Sequence, residues 1–278
     1  MSAGTEDVET AADRIVELAY ELEPYHIRYE ADRDSRAVFA YTYANITHDL
    51  AEWMTDPAAK IDDPGWVADL AVAFGEHYIA AMDALDEWER THPVEDVPRE
   101  TLYETVPRPW ADVYWTISPH RSTVLEDLIF GMGAHITYDL PHALVDVGTD
   151  PDRLGDYHRM NAVLASRTQA IKQRVTDRYN RVLGYLDRVV GQTDELFTNY
   201  WIRVGRSVAW YNAMRLQTPF ADRAAEESIE RSTAGLIDSV RGGPLPIRLG
   251  SGMYRRVFYA KRQWPQTPCE FLESDGVE

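Results

Sequence analysis

DRLGDYHRMNAVLASRTQAIKQRVTDRYNRVLGYLDRVV (Asp152–Val190) decides the fold class. Tyr157, Met160, Leu164, Ile171, Val175, Tyr179, Val182, Leu186 and Val189 recur in it at steps of three and four, which lines them along one face of an α-helix. Unbroken, such a helix would run about 58 Å at 1.5 Å per residue, longer than a small domain is wide, so a bend near Gly184 is expected. Helical periodicity continues on both sides, and period-2 alternation is nearly absent. The expected fold is all-α: one multi-helix bundle over residues 1–278, a long central helix, and loose tails at 1–7 and 265–278.

Earlier in the chain, a first helix is expected over Val8–Leu22, stopping before Glu23-Pro24, and a second over Ser35–Met54 with Phe39, Tyr43, Ile46, Leu50 and Trp53 on one stripe. Asp62-Asp63-Pro64 caps a third, which buries Trp66, Leu70, Phe74, Tyr78, Ala81 and Leu85. Residues Thr91–Pro109 read as the longest connection, followed by a short aromatic segment at Trp110–Ile117 and a helix over Ser122–Val147. Beyond Gly191, helices are expected to Leu216 and over Ala221–Val240. Gly242-Gly243-Pro244 then breaks the pattern before a tail with Met253, Val257, Phe258 and Trp264 to dock on the body.

The chain has 278 residues, 45% hydrophobic, with 46 acidic against 28 basic side chains and a net charge of -18. Only Lys60, Lys172 and Lys261 are lysines; the other basic residues are arginines. A surface this acidic repels duplex DNA and anionic membranes, so nucleic acid is not an expected partner. The carboxylates are spread from Glu6 to Glu278 rather than gathered in a block, as in a protein solvated at high salt. Cys269 is the single cysteine, no apolar run reaches about 18 residues, and the first residues lack a basic and apolar leader. A halophilic, soluble, cytoplasmic protein without membrane insertion is expected, its oligomeric state open.

FGMGAHITYDLPHALVDVG (Phe130–Gly148) places three ionisable groups inside an apolar run. On a helix through Leu125, Ile129, Met132, Ile136 and Ala143, Asp139 falls within the stripe and His135 and His142 flank it. His135 and Asp139 stand one turn apart and can share a ligand or a hydrogen bond. Gly131, one turn earlier, leaves room for a close approach, and Pro141 makes the direction of His142 uncertain by breaking the hydrogen-bond ladder. Imidazole and carboxylate suit a divalent metal, zinc first, and three ligands with an open position suit hydrolysis. The alternative is a buried hydrogen bond locking two helices, without metal or turnover.

His77, beside Phe74 and Ala81, is a candidate fourth ligand facing the same interior; the alternative is a satisfied core histidine. His48 reads as solvated, and His26, His92 and His120 as loop or helix-end residues. Asn161 interrupts the apolar stripe of the long helix, with Thr168, and is a candidate partner of His135 and Asp139 in catalysis; a plain helix-to-helix contact competes. Arg206 and Trp210, one turn apart, can stack with the cation over the ring; an anion-binding arginine or a structural clamp would use such a pair, and the clamp, with the arginine paired to a carboxylate, is the favoured reading. P-loop, dinucleotide-fingerprint, GxSxG, CxxC and HExxH motifs are all missing. Glu23-Pro-Tyr-His26 has the ExxH spacing of di-iron bundles but no second copy.

VFAYTYANIT (Val38–Thr47), DDPGWVADLAVAFGEHYIAAMDAL (Asp62–Leu85), GMGAHITYDLPHAL (Gly131–Leu144) and RSVAW (Arg206–Trp210) resemble, in order and spacing, the domain-of-unknown-function family 5995 over Arg36–Leu216. An AHIN-x-DL-like segment is that family's hallmark, and Thr137 stands where it usually has asparagine. The resemblance implies that the His135 segment matters and implies no reaction. His135 and Asp139 also resemble the H-x3-D element of all-helical zinc-dependent phospholipase C and P1-type nucleases. Beyond that element the pattern departs: His142 comes early, and Ala162 follows His158 where a glutamate belongs.

Two functions from different classes therefore stand. One is a metal-dependent hydrolase of a small phosphoester, ester or amide, with His135, Asp139 and Asn161 in catalysis and His135, Asp139, His142 and His77 around the metal. The other is a non-catalytic protein, whose aromatic interior, including Trp53, Trp66, Tyr138 and Trp201, holds an apolar small molecule, or whose His–Asp pair is purely structural.

Overall fold

The computed structural model describes residues 7–92, 99–118, 122–179, 193–241 and 262–265, and every regular element among them is helical. Ten α-helices follow in chain order. They are α1 (Val8–Ala31), α2 (Arg36–Thr55), α3 (Pro64–Thr91), α4 (Arg99–Leu102), α5 (Arg108–Ile117), α6 (Val124–Ala134), α7 (Leu140–Asp146), α8 (Leu154–Tyr179), α9 (Thr193–Leu216) and α10 (Asp222–Arg241). A five-residue π-turn, His135–Asp139, joins α6 to α7, and a 3-10 turn, Pro151–Arg153, leads into α8.

Local chemistry explains the starts. Asp7 accepts from the Thr10 amide at 2.9 Å, and Asp63 accepts from the Trp66 amide at 3.0 Å with Pro64 leading α3. Thr123 and Glu126 form a reciprocal capping box at the start of α6.

The centre of the molecule is the first half of α2, where every residue from 35 to 45 is buried. Helices α1, α6 and α8 all pack on it. A helix enclosed on all sides cannot be amphipathic, and Arg36, the one cation in that run, is neutralised within the fold by Asp34, Asp86 and Glu89. Among the described residues the enclosed helix is thus α2; of the long helix expected over Asp152–Val190, α8 is the described part, and Gly184 lies outside the described residues.

Three expectations about elements need correction. α1 runs through Pro24 to Ala31, because the turns beyond the proline bury His26, Tyr29 and Glu30, which outweighs one lost backbone hydrogen bond. His26 is accordingly a core residue, edge-on to Tyr41 at 5.7 Å. On α6 the buried face is turned from the expected stripe: Leu125 is 45% exposed, whereas Phe130, Gly131, Ala134 and His135 are buried. Of the tail, residues 262–265 are described, and there Trp264 meets Tyr179 edge-on while buried Arg262 pairs with Asp127. Met253, Val257 and Phe258 lie outside the described residues, as does His120.

Candidate functional site

The π-turn exists because Pro141 has no amide to donate to the carbonyl four residues back, and the ladder re-registers one residue earlier. The Leu140 amide reaches the His135 carbonyl, five residues away. Side chains hold the carbonyls nearby: the Thr137 hydroxyl donates to the Gly133 carbonyl at 2.8 Å, and His142 Nδ1 lies 2.7 Å from the Tyr138 carbonyl.

His135 and Asp139, at the two ends of this turn, are buried side by side. His135 Nδ1 is 2.8 Å from Asp139 Oδ2, and the Trp110 indole N–H, supplied by α5, donates to both Asp139 oxygens at 3.0 Å. His135 Nε2 is enclosed and has no hydrogen-bond partner among the described residues. Five aromatic side chains surround the ring: Phe74 stacks on it at 3.5 Å, Tyr43 meets it edge-on at 4.3 Å, and Phe39, Tyr78 and Trp110 complete the shell. Phe74 is half-buried and is the thinnest part of this cover. A cavity of about 10 Å³, room for about one water, shares Phe39, Tyr78 and Trp110 with the shell.

Burial sets the protonation of the pair. It holds the imidazole well below its ordinary value, with the charges of His77 and Arg206 adding to the effect. It also lifts the Asp139 carboxyl well above the usual carboxylate range, and the Trp110 N–H opposes that lift. With the ring held neutral and its one proton on Nδ1, Nε2 is left with a bare lone pair.

The other expected residues lie elsewhere. His77 does not face the interior: it is partly exposed, and its Nε2 is 2.7 Å from Asp146 on α7. His142 Nε2 is 3.2 Å from Glu226 on α10. Among the described residues, His77 and His142 do not join His135 and Asp139 in a set of converging metal ligands, and both Asp139 oxygens are already engaged. A three-ligand zinc centre does not fit this donor arrangement. Among the described residues, the one group of three or more such side chains whose ligand atoms lie within 4.8 Å of each other is His48, Asp49 and Glu52 on α2. There Arg174 reaches Asp49 at 3.2 Å and Arg167 reaches Glu52 at 3.5 Å, so cations of the chain already answer its charge.

Among the described residues Asn161 makes no hydrogen bond to His135 or Asp139; its Oδ1 accepts from Arg206 Nε, bridging α8 to α9. Arg206 has no carboxylate partner among the described residues, whereas the acidic composition of the chain suggests one. Its guanidinium lies over Tyr157, 4.4 Å from the ring centre, and Trp210 packs on the same tyrosine at 4.9 Å. The side chains of Thr168 and Trp201 lie outside the described residues. The room beside Gly131 is filled by Phe39, whose Cγ would stand 2.5 Å from an added Cβ. Trp110 is the partner that sequence reasoning missed: nothing in a short aromatic segment says which distant carboxylate an indole will find.

Fold and site together define an all-helical protein with a buried Asp–His pair on a π-turn, enclosed by aromatic rings. The chain belongs to the family of unknown function DUF5995, whose model matches residues 15–241. That match takes in α2, α3, α5, the π-turn, α8 and α9, and so every residue of the site. No curated protein and no solved structure matches the chain.

Proposed function

We propose that the protein is an acid–base hydrolase of a small ester, phosphoester or amide, in which His135 Nε2 activates water and Asp139 positions the ring. One observation carries this reading: Nδ1 is held by a buried carboxylate while Nε2 is buried with no hydrogen-bond partner among the described residues. A histidine serving only to lock helices would have both nitrogens satisfied, since an orphaned buried polar atom costs about 1–3 kcal/mol. The arrangement is that of a general base whose tautomer is fixed by its neighbour. Burial keeps the imidazole unprotonated, so the Nε2 lone pair is free to receive a proton from the attacking water. Substrate reaches Nε2 past Phe74, the half-buried ring on the imidazole face.

The structural reading keeps one observation in its favour, the near-complete aromatic packing of His135. Turnover separates the two. Aryl esters, phosphomonoesters, phosphodiesters and anilides are offered to the wild-type chain, His135→Gln and Asp139→Asn, with helicity checked by circular dichroism. The expected result is hydrolysis of at least one class by the wild type, reduced by about 10²–10⁴-fold in both variants with the fold retained. No hydrolysis of any class, or equal rates in all three proteins, contradicts the proposal.

A further inference from the structure

A buried guanidinium is costly unless an anion answers it. Among the described residues three arginines are buried: Arg36, Arg206 and Arg262. Arg36 has Asp34, Asp86 and Glu89, and Arg262 has Asp127. Arg206, 5% exposed, has no carboxylate among the described residues, and its Nη2 is enclosed without an acceptor. Scarcity is not the reason, because the chain has 46 acidic residues against 28 basic ones.

What Arg206 has instead is a frame. Nε donates to Asn161 Oδ1, the Tyr157 ring lies beneath the guanidinium plane, and the Tyr157 hydroxyl donates to the Arg206 carbonyl at 2.7 Å. Neutral partners fix the fork without cancelling its charge, which is how a guanidinium is prepared for a planar oxyanion. The frame also stands beside the His135 turn: a Cβ on Gly205 would be 3.1 Å from Ile136 Cγ2, so α9 runs directly against the π-turn one residue before Arg206.

We infer that Arg206, oriented by Asn161 and Tyr157, binds an oxyanion group, carboxylate or phosphate, of the molecule on which His135 acts. The inference rests on the reading of His135 as a functional centre and narrows its substrates to anionic ones.

Inorganic phosphate and acetate are the probes, used on the full chain at constant ionic strength in potassium chloride, with melting temperature and calorimetric Kd as readouts. The wild type is expected to gain a saturable rise in melting temperature from at least one probe beyond the chloride control. Arg206→Met is expected to lose that response and, without oxyanion, to melt no lower than the wild type, because it removes a buried charge that lacks a counter-ion. A wild type blind to both probes, or an Arg206→Met that keeps the response, overturns the inference. Should Arg206→Met not fold, Arg206→Lys keeps the charge and loses the fork; a Kd raised at least tenfold upholds the inference and an unchanged Kd overturns it. His135→Gln keeps the two readings apart: an oxyanion response retained in it with turnover intact refutes the base and upholds the Arg206 site.

Discussion

At the scale of single residues, His135 and Asp139 are displaced in opposite directions by the same cause, burial. The unfolded chain protonates His135 below its ordinary value of 6.5 while the folded ring resists, so this group alone costs stability as pH falls below that point. Asp139 acts oppositely: its raised folded value gives stability that is present at low pH and is lost as pH rises through it. The two contributions offset each other in the wild type. Asp139→Asn removes the second and leaves the first, so its unfolding free energy should fall more steeply between pH 7.5 and 5.5, by up to about 1.4 kcal/mol. Denaturant titrations at the two pH values check this; parallel losses would mean that the residues are not coupled. The pair itself was legible in the sequence, since one-turn spacing places two side chains in reach. Its third member was not, because Trp110 is 29 residues away and joins the pair only through packing.

At the scale of elements, helix identity was readable from periodicity, whereas helix rotation and continuity were not. Pro24 reads as a stop and is overridden by the burial of His26, Tyr29 and Glu30. Pro141 reads as a disturbance and becomes a π-turn, which shifts the face that follows. The two glycines before the turn separate packing from backbone effects. At Gly131 an added methyl meets the Phe39 ring root, 2.5 Å to Cγ and 2.7 Å to Cβ, where α6 crosses the enclosed helix α2. At Gly133 it meets only the far end of half-buried Leu236, at 2.3 Å to Cδ2. Gly131→Ala should therefore cost about 1–3 kcal/mol. Gly133→Ala should be neutral or slightly stabilising, since alanine favours the helix by about 0.5–1 kcal/mol and Leu236 can turn aside. Chemical denaturation of both variants decides; equal losses would contradict the packing described for α6.

At the scale of the whole molecule, the chain carries a charge of -18, and among the described residues its buried cations are locally answered, Arg206 excepted. What remains is repulsion among surface carboxylates, which salt screens over about 10 Å at 0.1 M and about 3 Å at 1 M. The melting temperature should rise as potassium chloride increases from 0.1 to about 1 M; a flat or falling curve would show that exposed ion pairs such as Arg14–Asp69 outweigh the repulsion. No helix among the described residues is long and apolar enough to cross a membrane. The gross fold could be read because helical period and caps are local. Which helix lies at the centre is harder to read, because a helix enclosed on all sides, such as α2 over residues 35–45, has no polar face and gives a weaker periodic signal than α8.

The role proposed for His135 turns on where its imidazole carries the proton. Long-range ¹H–¹⁵N correlation spectra of selectively ¹⁵N-histidine-labelled protein report it directly, with His135→Gln assigning the signal. At pH 8 the proton is expected on Nδ1 and the lone pair on Nε2. Asp139→Asn should move the proton to Nε2, because Trp110 claims the asparagine oxygen and turns the amide N–H toward Nδ1. A proton already on Nε2 in the wild type at pH 8, or a tautomer unchanged in Asp139→Asn, would contradict the assignment of His135 as a base positioned by Asp139.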